Sequence, residues 1–133
     1  MSEFIYSSVR ALLTSASDVT NLVPPSNITP GFSQIHDSYP CITITVVGGA
    51  DIGYMGYGTS PAGSKIRRNN TSIQIDIYTR HSLLSSQRIG DAITKTLMNG
   101  TGFRKAGEVD VYEDELKAHR KIQTWNILTL RND

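Results

Sequence analysis

One cysteine, Cys41, is the whole thiol content of the 133 residues. A lone thiol makes neither an intramolecular disulfide nor a cysteine-built metal site. The chain is therefore expected to fold in a cytoplasm and to be held by its core. An excess of charge is missing too, with 13 Lys and Arg against 12 Asp and Glu and a net charge of +1. Domains that grip nucleic acid through their field usually carry a clear basic surplus, so the balance argues against an electrostatic nucleic-acid binder. No apolar run approaches the roughly 20 residues of a membrane span. The start, "MSEFIYSSVRALL", lacks the basic region and unbroken apolar stretch of a secretion signal. The triplets at Asn27, Asn70 and Asn99 are then chance matches to a glycosylation signal. Aromatic residues are sparse at 8%, with Trp125 the single tryptophan.

What is present fits an ordinary globular chain, 38% hydrophobic and 19% charged, which excludes bulk disorder. Its length suits one domain, residues 1–133. Ile5, Val9, Leu12 and Leu13 predict an amphipathic helix ending near Thr14, with Ser2 as a cap. A short turn is expected over 18–22, and then "VPPSNITPG", too rich in Pro and Asn for regular structure. Ile42, Ile44 and Val46 alternate with Thr43 and Thr45 and predict a one-sided strand closed by Gly48 and Gly49. Ile73, Ile75 and Ile77 define a second strand, with Gln74, Asp76 and Tyr78 on its other face. From Ser82 to Asn99 the helical period returns on Ile89, Ala92, Ile93, Thr96 and Leu97. Asp91 and Lys95 pair one turn apart, and Asn99-Gly100 gives the stop. "EVDVYED" and "HRKIQTWNILTL" close the chain as strands. In the last, Trp125 and Ile127 share one face but Ile122, Leu128 and Leu130 the other. Either a bulge near Thr124 shifts the register or both faces are covered. The order αββαββ implies an α+β fold: an antiparallel sheet of about four strands with two helices on one face. Its edges have no evident guard, which favours assembly.

The chemistry is thin. "GTSPAGSK" has glycines spaced as in a phosphate-binding loop, at Gly58 and Gly63, but Ser64 and Lys65 stand in reverse order. A strand follows where the motif needs a helix, so a flexible connection is the better reading than a nucleotide site. His36, His81 and His119 lack metal-ligand spacing, no serine sits in G-x-S-x-G, and Cys41 reads as a buried structural thiol. No catalytic residue, cofactor or metal is assigned, and an enzyme is not expected. The loop at 48–65 is another matter. It spans 18 residues and holds six of the chain's 11 glycines. Connections of that length are uncommon unless functional or disordered. Tyr54, Met55 and Tyr57, followed by Lys65, Arg67 and Arg68, have the aromatic and arginine composition of an interface anchor.

Taken together, "VRALLTSASDVTNLVPPSNI", "YPCITITVV", "NNTSIQIDIYTRHSLLSSQRIGDAITKTL" and "DVYEDELKAHRKIQTWNIL" resemble the tail-completion, or tail-terminator, proteins of long-tailed bacteriophages. The likeness lies in element order and spacing across most of the chain. It implies a virion structural protein that forms a ring, commonly a hexamer, on the last ring of the tail tube. Such a ring stops tube growth and joins the tail to the head connector. The implied partners are copies of itself, the major tail tube protein and a head completion or stopper protein. Genomic DNA would pass through the lumen without sequence-specific binding, and no membrane is involved. The implied location is the tail or neck of the virion, reached from the host cytoplasm. On this resemblance Tyr54, Met55, Tyr57, Lys65, Arg67, Arg68 and Trp125 are partner or oligomer contacts. Asp76, Glu113, Asp114 and Glu115 would be the acidic lumen surface. A head-side neck protein is the alternative within this class, and a small-ligand or nucleotide-binding enzyme the alternative outside it.

Overall fold

A computed structural model describes residues 2–31, 39–54, 66–99 and 102–132, with side chains for 5–31, 39–48, 70–99 and 102–127. The chain opens with helix α1, Ser2–Ser15, and a single turn of helix, α2, Ser17–Thr20. A 3-10 turn at Pro25–Asn27 leads into strand β1, Ile28–Pro30. A long hairpin follows, β2 at Cys41–Tyr54 and β3 at Ile66–Thr79. Helix α3, Leu83–Met98, precedes a second hairpin, β4 at Phe103–Glu113 and β5 at Ala118–Asn132.

The sheet has five strands in the order β1-β2-β3-β5-β4. The α+β class holds, with two departures from the sequence expectation. The Pro- and Asn-rich segment contributes β1, which pairs parallel to β2 through Ile28 and Ile42, so the sheet is mixed. Three residues suffice because Ile28 is buried in the core, giving this segment one apolar anchor. Gly48 and Gly49 do not end β2. It continues to Tyr54 against β3, with register shifts between Val46 and Gly48 and between Asp51 and Gly53. Residues 48–54, expected as loop, are therefore strand, and β3 begins at Ile66, directly after the expected loop.

One face of the sheet carries the helices. Ile42, Ile44 and Val46 lie across from Ile77, Ile75 and Ile73. These residues join Val9, Leu13, Ile89, Ile93, Leu97, Trp125 and Ile127 in one core cluster. In α1 the buried stripe is Val9 and Leu13, one turn apart, with Ile5 packed on it. Leu12, one step off that stripe, is exposed rather than inward. In α3 the stripe Ile89, Ile93 and Leu97 is buried as its period requires. Ser82 caps α3 by accepting a hydrogen bond from Ser85 N at 3.1 Å, and the Asn99 amide closes the helix on Lys95 O. Lys95 does not reach Asp91. It bonds Asp18 of α2 at 3.2 Å, tying the two helices at their exposed rim.

The alternation in β5 is resolved by its neighbours. β5 pairs with β3 without interruption from Thr79 and His119 to Ile66 and Asn132. The register shift lies in β4, between Lys105 and Gly107, opposite Trp125 and Thr124. A bulge does sit at Thr124, but in the partner strand, which takes up the extra residue and leaves β5 regular. Lys121, Gln123, Trp125 and Ile127 thus share the helix face, and all four are buried.

Candidate functional site

The surface that sets this molecule apart is the border of its sheet. β4 is the outermost strand on one side, and every one of its residues is exposed or half-exposed. Val109, Val111 and Tyr112 are 57%, 39% and 51% exposed. Phe103 alone packs on the core cluster. β4 therefore rests on its backbone ladder and on ion pairs. Lys121, whose stem lies beneath α3, extends its ammonium to Asp110 at 2.9 Å and Glu108 at 3.5 Å. Lys105 reaches Glu108 at 3.3 Å. Burial raises the Glu108 carboxyl, but hydrogen bonds from Gln123 and Lys105 and the charges of both lysines outweigh it. The net shift is downward.

The network continues inward. Gln123 donates to Glu108 at 3.0 Å and to the Gly90 carbonyl at 3.1 Å, while its oxygen accepts from Trp125 Nε1 at 3.1 Å. Gly90 is what lets α3 lie this close. A Cβ there would stand 2.7 Å from Lys121 Cδ and 3.2 Å from Gln123 Nε2.

On the opposite face Arg120 is the hub. It binds Asp76 at 3.1 Å and Glu113 at 2.8 Å and lies over the Tyr78 ring at 5.5 Å. Gln74 adds a second donor to Asp76 at 3.0 Å. Burial lowers the Arg120 pKa, and the bonds and charges of Glu113 and Asp76 more than restore it, leaving it raised. Thr43, Asp76 and Tyr78, read from sequence as a solvent-facing polar surface, are buried. Asp76 and Glu113 consequently present a compensated pair rather than bare negative charge. Asp114 and Glu115 are exposed in the turn between β4 and β5.

Trp125, expected as a partner contact, is 0% exposed inside the protomer and has no surface to offer. Its alternation with Ile127 marks a core position, which the register of β5 made visible only once β4 was placed. Tyr54, Arg67 and Arg68 lie at the far end of the long hairpin, Tyr54 across from Arg67 and Gly53 across from Arg68. Met55, Tyr57 and Lys65 lie outside the described residues, as does His36. Sequence reading missed Lys121, Gln123 and Gly90. A lysine and a glutamine on the inward parity of a buried strand were the available signal.

Among the described residues no group of three His, Cys, Asp or Glu side chains could hold a metal. Cys41 is buried, and burial pushes its thiol up to about 11, far from a nucleophile's range. The groove between α2 and α3, lined by Asp18, Leu22, Arg88 and Lys95, is shallow and wide open. No described helix is long and apolar enough to cross a membrane.

Fold and border together define a class: a two-layer α+β protomer with a long, weakly held strand on its rim. No family model and no curated protein sequence matches the chain. Among solved structures it is similar to a chain of the virion of a native gene transfer agent particle. That likeness covers 92% of each chain at a TM-score of 0.67 and 9% identity, so it is a likeness of fold.

Proposed function

We propose that the chain is a structural subunit of a phage-type virion, and that its role is tail completion. On this reading it forms a ring on the last ring of the tail tube, halts tube growth and offers its other side to the head connector. The observation that carries the proposal is the whole-chain likeness of its fold to a component of a gene transfer agent virion. Two features support it. Border strand β4 exposes valines and a tyrosine that a neighbour would cover. The long hairpin continues beyond its last described core residues, Val46 and Ile73, to the positions of Tyr54, Arg67 and Arg68. That hairpin, with Met55, Tyr57 and Lys65 between its strands, would touch the tube or the adjacent subunit. Asp114 and Glu115 remain the acids suited to a lumen that DNA slides through.

The test is electron microscopy of lysates from a phage lacking this gene. Overlong tubes without heads are expected. Tubes of normal length that fail to join heads would move the chain to the head side of the neck. Unaltered virions would remove it from the particle altogether. Deleting residues 53–63 should leave the protomer folded, as circular dichroism reports, while abolishing normal tails.

A further inference from the structure

The two borders of the sheet are unequally guarded. On the β1 side Pro30 has no amide proton to donate, and the Ile28 carbonyl already accepts from Arg10 Nε at 3.1 Å. β1 is closed to a further strand. Its ladder on β2 stops at Ile44, where the Gly31 amide makes the last bond. Beyond it, residues 45–54 of β2 pair with β3 on one side, and no described strand pairs on the other. β4, at the opposite border, is likewise unpaired on its outer side and contains no proline.

We infer that β4 of one protomer adds to the free run of β2 in a second copy, continuing the sheet from subunit to subunit. This rests on the ring reading above and names the surfaces that would join. Direction agrees. β2, β3, β5 and β4 are linked by three antiparallel pairings, so β4 runs opposite to β2. A second copy set alongside in the same orientation therefore meets the first as an antiparallel pair. Length agrees over most of β4, whose residues 103–111 match 46–54 of β2, while Gly31 already stands against Thr45.

Charge selects the register and rejects self-pairing. Setting Phe103 across from Tyr54 puts Lys105 across from Ile52, beside Asp51, and the strand registers place Lys105 and Asp51 on the same face of the sheet. Asp51 is the one charged residue in 45–54, so an opposite charge on β4 can be met only there. In the same register Glu108 and Asp110 face Gly49 and Val47, which are uncharged. Pairing β4 with β4 of a second copy fares worse. Centred on Glu108 or on Asp110 it sets that carboxylate against itself, and centred on Val109 it sets Glu108 against Asp110 with Lys105 against Glu113 to offset them. Like charges directly opposite are destabilising. A heterologous contact between two different borders closes into a ring when the rotation permits, as an isologous one does not.

The register also places Val109 across from Gly48. Val109 is exposed, and a Cβ at Gly48 meets nothing within 4 Å, so both positions accept cysteine. The experiment is mild oxidation of the concentrated full chain carrying Gly48→Cys, Val109→Cys or both. Circular dichroism melts confirm folding, and non-reducing gels and sedimentation are the readouts. The double variant is expected to give dimers, trimers and longer disulfide-linked species, and neither single variant to do so. A stoichiometric dimer from Val109→Cys alone would mean β4-to-β4 pairing and overturn the inference. Oligomers in sedimentation without cross-links in the double variant would overturn these surfaces and leave the ring reading standing. Normal tail lengths in the gene-deletion phage would remove the ring reading independently of any cross-link.

Discussion

Gln123 shows how much one polar side chain can organise when it is buried. It satisfies the Trp125 indole, the Gly90 carbonyl and Glu108 at once, linking β5, α3 and β4. Replacing it with leucine strands the indole N–H inside the core. The expected loss is about 1–3 kcal/mol of stability, read from urea unfolding midpoints at unchanged slope. Gly90 is coupled to it through space. Gly90→Val adds a branched side chain where even a Cβ crowds Lys121 and Gln123. A cost of about 1–3 kcal/mol is expected from overpacking, despite the poor helix propensity of glycine. Cys41 supplies a pH test. Burial raises its thiol from 9.0 to about 11, so the folded state disfavours the thiolate. The corresponding stability is intact below pH 9.0 and is lost as pH rises toward 11. Thermal melts of Cys41→Ala should lack that alkaline decline, and the wild-type thiol should react with a disulfide reagent only as fast as the protein opens.

At the scale of elements, β4 stands apart. β2, β3 and β5 each place an alternating row of residues in the core, whereas β4 contributes Phe103 at its beginning and ion pairs thereafter. A strand held this way is expected to open locally at lower free energy than its neighbours. Hydrogen exchange should therefore find β4 amides exchanging faster than those of β3, and faster still at high salt. Acid should act on the same element. The Glu108 carboxyl is held below its ordinary value of 4.5, so its contribution is present above that pH. It is lost as pH falls through the lower folded value. Melts between pH 7 and pH 3 should decline less steeply for Glu108→Gln than for wild type. Equal slopes would mean that these pairs contribute nothing to the docking of β4.

For the molecule as a whole, the exposed rim links stability to association. A protomer whose border strand is covered by a copy of itself binds that copy only when folded, so its melting temperature should rise with protein concentration. Differential scanning calorimetry over a hundredfold dilution checks this, and a concentration-independent midpoint would separate the border from any self-assembly.

Local periodicity was enough to place the isoleucine rows of β2 and β3, the stripe of α3 and the αββαββ order, because each buries one face against its neighbour. The α+β class followed from those rows alone. What periodicity could not reach were the relations across the sheet. β1 forms through a single buried isoleucine in a segment whose composition speaks against a strand. The glycines at 48 and 49 read as a stop, yet a ladder with β3 and two bulges carries β2 past them. Trp125 looked like a contact residue and Asp76 like a bare acid until pairing with β4 and with Arg120 fixed their surroundings. Hydrophobic spacing is a property of one segment. Which polar residue is buried, which charge is compensated and which border stays open depend on the strand that lies beside it, and only the tertiary structure supplies that neighbour.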